Sequence, residues 1–156
     1  MILENEELKL NNLISIRKKI TQQGLPAEMQ KLGQFINEKG AQKSGPMITA
    51  TFAMEQNNFG QVLDMEILVP LDKEIEVTGE YTFKRHFLLT NALKATHIGN
   101  PALMQNTYNL INSHIIENKL QPITASYNVT VKDVTDPSKI DEVVIDIYVG
   151  INPCIL

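Results

Sequence analysis

Two stretches of the chain carry one pattern, Met65-Glu66-Ile67-Leu68-Val69-Pro70-Leu71 and Ile145-Asp146-Ile147-Tyr148-Val149-Gly150-Ile151. Apolar side chains take every second position. The positions between them hold an acid, then Leu or Tyr, then Pro or Gly. Alternation of this kind marks a half-buried strand, one face turned to a core and the other away from it. Glu66 and Asp146 therefore fall on faces away from the core, 80 residues apart. A carboxylate on a partly apolar wall attracts a cation, and a neighbouring ring such as Tyr148 adds a cation–π attraction. The plainer reading makes both acids solvated strand residues, or partners of Lys19 and Lys94, in which case any preference for cations is lost. The candidate ligand-binding residues are Glu66, Leu68, Asp146, Tyr148, Thr124, Ser126 and Lys94. Strand parity puts Thr49 and Thr51 on the same side, although register between strands is not visible in a sequence.

The elements that must position these residues form a repeat. Gly24-Leu25-Pro26-Ala27-Glu28-Met29-Gln30 reads against Gly99-Asn100-Pro101-Ala102-Leu103-Met104-Gln105, and Ile48-Thr49-Ala50-Thr51-Phe52 against Ile123-Thr124-Ala125-Ser126-Tyr127, both at an offset of 75. Across 21–52 and 96–127, 11 of 32 positions are identical, where chance gives about two at ordinary residue frequencies. Each half reads as strand, helix, strand, strand. In the first, the strand Leu13–Ile20 ends at Gly24 and a helix runs over 27–39 with Met29, Leu32, Phe35 and Ile36 on one stripe. Gly40 stops that helix, and strands follow at 47–54 and 62–71 around a turn at Asn57-Asn58-Phe59-Gly60. In the second, 83–88 is an extra strand, 92–97 matches the first strand, and Asn100-Pro101 caps and opens a helix striped by Met104, Tyr108, Ile111 and Ile115. Strands at 123–132 and 142–151 close it. The expected fold class is α+β: a duplicated β-α-β-β module with pseudo-twofold symmetry, an antiparallel sheet with helices on one face, and a groove between the halves. The expected domain is single, 1–156, with half 1 at about 10–71, a linker at about 72–80 and half 2 at about 81–152.

Composition narrows the function classes. A chain of 156 residues suits one domain, and 43% hydrophobic residues suffice for a core. A net charge of -4 lacks the basic footprint of a nucleic-acid binder, and Arg17-Lys18-Lys19 is too short to supply one. The single Cys154 fits a reducing compartment. The start has no signal-peptide pattern and no apolar run reaches a membrane span, so the expectation is a cytoplasmic protein without membrane contact. His86, His97 and His114 show no metal-ligand spacing, and Cys154 has no recognisable base beside it. Neither metal nor cofactor is expected, and no catalytic residue is assigned. Gly24 and Gly99 precede helices without a phosphate-binding motif and read as backbone geometry. The acidic start, Glu4 to Glu7, reads as a frayed, solvated end.

Set on the duplicated order, the segment Ala95-Thr96-His97-Ile98-Gly99 and the two half-endings, the chain resembles the GyrI-like superfamily of gyrase-inhibitory-protein-like and bacterial effector-binding domains, over about 10–152. His97-Ile98-Gly99 matches the family's His-x-Gly before the second helix. Met65 to Leu71 matches its acid, alternating apolar residues and Pro; Ile145 to Ile151 has Asp for the usual Glu and Gly for Pro. The resemblance implies a central cleft for hydrophobic or cationic small molecules, and Asp146 lines up with the buried Glu that meets the cation in fused regulators. With about a dozen residues before the first strand, this copy resembles a stand-alone member. The first expectation is thus a small-molecule-binding protein that senses or sequesters an amphipathic or cationic ligand. The alternatives are a hydrolase of strained electrophiles using Asp146 and Tyr148, and an interaction module that inhibits or assists a partner protein. Monomer and homodimer are both compatible with the sequence.

Overall fold

Antiparallel strands and two helices build the chain, and the computed structural model describes residues 1–58 and 60–156. In chain order the elements are β1 (Ile2–Thr21), α1 (Leu25–Glu38), β2 (Ile48–Asn57), β3 (Gly60–Pro70), β4 (Tyr81–Ile98), α2 (Met104–Glu117), β5 (Pro122–Lys132) and β6 (Val144–Ile151). Short 3-10 turns lead into both helices, and a third precedes β6. The α+β class expected from the sequence is observed. Phe59, part of the expected turn at 57–60, lies outside the described residues.

Two compact units make up the fold: Leu10–Phe87, called here the first unit, and Met1–Lys9 with Leu88–Leu156, the second. The first contains most of β1, then α1, β2, β3 and the start of β4; the second contains the rest of β4, then α2, β5 and β6. The strand order is β1-β3-β2 in the first and β5-β6-β4 in the second, all antiparallel.

Two expectations need correction. The N-terminal residues are strand rather than frayed end: Ile2 packs on the second unit's core and Glu4 accepts a 2.7 Å hydrogen bond from His114 Nε2. The separate strands at 83–88 and 92–97 are one strand, Tyr81–Ile98. Asn91 turns inside it at φ +50, as Asn12 does inside β1 at φ +56. Asparagine tolerates this left-handed conformation better than most residues, so the chain bends without ending the strand.

Each unit buries its helix against one face of its own strands. In the first, Ile14, Ile16, Ile20, Ile67, Val69 and Leu71 form a cluster with Leu32 and Ile36 of α1, and Met29 and Phe35 pack on its rim. That is the stripe the helical spacing selects. Gly40, at φ +71, follows the helix, and its N–H donates to Asn37 O while Ala41 N–H donates to Ile36 O, which closes the helix end. In the second unit, Leu93, Ala95, Val143, Ile145, Ile147, Val149 and Ile151 surround Ile111, with Met104, Tyr108 and Ile115 beside it. Asn100 caps the turn into α2 by accepting from Ala102 N–H at 2.9 Å. The Tyr108 hydroxyl donates to Asn128 Oδ1 at 2.9 Å, and burial pushes its pKa up.

Candidate functional site

The clusters settle which side of each strand faces its helix, and so which side holds the acids. Ile67, Val69 and Leu71 lie under α1, so Asp64, Glu66, Leu68 and Pro70 take the other side. Ile145, Ile147, Val149 and Ile151 lie under α2, so Val144, Asp146, Tyr148 and Gly150 take the other side. The alternation read from the sequence therefore holds for both strands.

Glu66 is only 7% exposed. Its pairing partners are Arg17 on β1 and Ala50 on β2, and next along the same face come Ser15, Leu68 and Ile48. Leu68, Ala50 and Ile48 have no exposure at all. A carboxylate among such neighbours must be hydrogen-bonded or neutralised. Both happen at one oxygen: Ser15 Oγ and Lys84 Nζ each donate to Glu66 Oε2 at 2.7 Å. Lys19, the partner considered from sequence, instead meets Glu55 at 3.1 Å, and Arg17 makes a two-pronged contact with Asp64 at 3.2 Å. The Arg17 guanidinium holds the Asp64 carboxyl below its ordinary pKa.

In the second unit, Asp146 accepts from Thr96 Oγ1 at 2.7 Å, and Lys94 Nζ lies 3.5 Å from its other oxygen. Lys94 also stands 5.6 Å from the centre of the Tyr148 ring, within cation–π range. Tyr148 pairs with Lys94 on one side and Tyr127 on the other, and is 7% exposed. Partial burial of Lys94 works to lower its pKa, but the charge of Asp146 and the contacts with Tyr148 outweigh it, and the net shift is upward. The sign of the linkage follows. Stability from this shift is fully present below the ordinary lysine value of 10.5 and is lost as pH rises through the higher folded value. Asp146→Asn removes the largest upward contribution, so the Lys94 pKa should fall. A titration of the lysine side-chain NMR signals reads this directly, and an unmoved Lys94 would mean that the 3.5 Å contact carries no weight in solution.

Strand parity serves the threonines and Ser126 less well. Thr49 pairs with Ile67 and Thr51 with Met65, which puts both on the helix side of the first unit. Ser126 pairs with Val149 and also takes the helix side. In β5 the register shifts between Pro122 and Ser126, so four residues there span two on β6. Thr124, inside that bulge, does reach the acid-bearing face: its hydroxyl oxygen accepts from Gly150 N–H at 2.8 Å. One bulge thus separates two residues that share parity in the sequence.

Ser15, Lys84 and Thr96 complete the two acid sites and were not among the sequence candidates. Ser15 had a signal, a lone hydroxyl between Ile14 and Ile16 in a β-branched run. Thr96 sits two residues from Lys94 and so shares its face. Nothing in the sequence sets Lys84 apart from the other lysines. His97 is buried; its Nδ1 meets Thr107 Oγ1 at 2.8 Å and its Nε2 meets Asn100 O at 3.0 Å, so it ties the end of β4 to the entry of α2. A cavity of about 280 Å³ in the first unit, lined by Met29, Leu32, Gly33, Ile36, Met47 and Val69 among others, lies on the helix side, and neither Glu66 nor Leu68 lines it. Among the described residues no cluster of His, Cys, Asp or Glu is arranged to hold a metal, and no helix is long and apolar enough to cross a membrane.

No family model matches the sequence, and no curated protein matches it either. Solved structures do match. The C-terminal domain of EcmrR superposes with a TM-score of 0.74 at 11% identity, over 99% of both chains. EcmrR in a DNA complex superposes at 0.78 and 14% identity, over 99% of this chain and 57% of that one, so the present chain spans little more than half its length. The likeness is one of fold. A hydrolase from Listeria innocua shares it at 0.58 and 11% identity, covering 97% of this chain and 91% of that one. SAV2435 bound to tetraphenylphosphonium shares it at 0.50 and 10% identity, covering 98% and 93%.

Proposed function

We propose that the chain is a small-molecule-binding protein of the GyrI-like kind, which senses or sequesters an amphipathic ligand held against an acid-bearing strand face. The observation that carries this reading is Glu66. A carboxylate 7% exposed, among fully buried Leu68, Ala50 and Ile48, contributes little to stability that a well-packed apolar residue would not supply. A buried acid with apolar walls and a few converging polar groups is the usual make-up of a ligand site. One structural neighbour supports the same class of function, since SAV2435 carries a lipophilic cation, tetraphenylphosphonium. Leu68 and Ser15 accompany Glu66 as proposed contacts. Asp146, Tyr148, Lys94 and Thr124 are the proposed contacts of the second unit. Ser126 is left out because it takes the helix side.

The hydrolase alternative finds less support, although one neighbour is described as a hydrolase. Thr96 engages one oxygen of Asp146 and Lys94 approaches the other, so a water would have to compete for a base already occupied. Thermal unfolding against a panel of amphipathic compounds tests the binding reading. A ligand at about 100 times its dissociation constant should add about 2.7 kcal/mol of stability. Glu66→Gln should abolish most of that gain. A panel that leaves the native protein unshifted, or a shift indifferent to Glu66→Gln, counts against the reading. Consumption of the compound, with loss of turnover in Asp146→Asn, would favour the hydrolase.

A further inference from the structure

The geometry points to Lys84 as the residue that sets the ligand's charge: a tethered cation, built into the chain, that already occupies the Glu66 carboxylate and makes the site indifferent to positively charged compounds. This rests on the reading of Glu66 as a ligand anchor, and it names the class of ligand the site takes. A bare buried carboxylate would select lipophilic cations. Here Lys84 Nζ and Ser15 Oγ both stand 2.7 Å from Oε2. The two donors converge on one oxygen, so Oε1 is the acceptor a ligand meets.

The two members of the pair differ in burial. The Glu66 side chain is 9% exposed and that of Lys84 is 34%. Lysine carries its charge on a flexible four-carbon arm, so the ammonium withdraws to water at far lower cost than the carboxylate. A cationic ligand would therefore exchange one ammonium for another. It gains the attraction of Glu66 and loses that of Lys84, while the displaced or retained lysine charge repels it. A neutral amphiphile with one O–H or N–H donor meets no such competition. It donates to Oε1 and leaves the ion pair in place. The preferred ligand is thus a neutral, largely apolar molecule bearing a hydrogen-bond donor. The second unit's acid is held less tightly, its lysine being 3.5 Å away rather than 2.7 Å.

The test measures two probes of similar bulk by calorimetry: triphenylmethanol, neutral with one donor, and methyltriphenylphosphonium, a permanent cation without one. The quantity read is the ratio of their affinities in the full chain. The native protein should prefer triphenylmethanol. In Lys84→Met the ratio should move toward the cation by about tenfold or more, the range expected when one close charge is removed. Lys84→Arg keeps the charge and should keep the native preference. Glu66→Gln in the Lys84→Met background should cancel the gain, because the cation then has no anion to meet. If Lys84→Met does not fold by circular dichroism, Lys84→Gln takes its place, since it keeps a polar donor on a shorter arm. An unchanged ratio in the charge-free variants, with both probes still binding, overturns the role of Lys84 and leaves the ligand site standing. A native protein that already prefers the phosphonium overturns it as well. Absence of binding by either probe to every variant overturns the site and the inference together.

Discussion

Ile67→Ala should lower the stability of the protein by about 2–5 kcal/mol, the usual cost of truncating a buried aliphatic side chain to alanine. Ile67 has no exposed surface, and it lies in the cluster under α1 with Leu32, Ile36, Ile16 and Val69. The loss combines the transfer of the missing carbons with the void they leave, which a close-packed cluster fills poorly. For a chain of this length each kcal/mol moves the midpoint by about 2–4 °C, so thermal unfolding should shift down by about 4–20 °C. Leu110→Ala serves as the contrast: Leu110 is 60% exposed on α2, and its replacement should stay within about 0.5 kcal/mol. Equal shifts for the two variants would refute the placement of the core beneath α1.

Gly150→Ala should cost about 1–3 kcal/mol, by overpacking rather than by a void. A Cβ on Gly150 would stand 2.7 Å from Thr124 Cγ2 and 3.0 Å from Leu89 Cδ1. Thr124 cannot easily retreat, because its hydroxyl accepts the Gly150 N–H at 2.8 Å and donates to Ala125 O at 2.8 Å. Thr124→Ser removes the Cγ2 methyl and keeps the hydroxyl. The double variant should therefore recover part of the loss, and the coupling between the two changes is the measured quantity. A loss in Gly150→Ala that Thr124→Ser leaves untouched would place the strain elsewhere. The contact accounts for glycine at position 150: the bulge in β5 brings Thr124 down onto the strand, and no side chain fits beneath it.

The two variants show where sequence reasoning succeeds and where it stops. Ile67, Val69 and Leu71, and likewise Ile145, Ile147, Val149 and Ile151, are legible because a strand repeats every two residues, and a row of aliphatic side chains at that spacing has only one stable destination. The helical stripes of Met29, Leu32 and Ile36, and of Met104, Tyr108 and Ile111, follow from the 3.6-residue period in the same way. Gly40 and Asn100 mark helix ends through local backbone and capping chemistry. All of these depend on residues close together in the chain.

The bulge at Thr124 and the choice of Lys84 for Glu66 depend on which strands meet and in what register. Nothing local encodes that. A shift of one residue moves a side chain to the opposite face, which is why Thr49, Thr51 and Ser126 lie on the helix side while Thr124 does not. The ion pairs are the extreme case. Lys19 and Lys84 are equivalent as residue types, both within reach of a carboxylate, and only the packing of β1, β2, β3 and β4 gives Glu66 to Lys84 and Glu55 to Lys19. The sequence by itself determined the α+β class, the two helices and the faces of β3 and β6, because hydrophobic periodicity is a property of neighbours along the chain. Only the tertiary structure decided what neutralises each acid, because a charge takes the nearest partner in space, and spatial proximity arises from strand register.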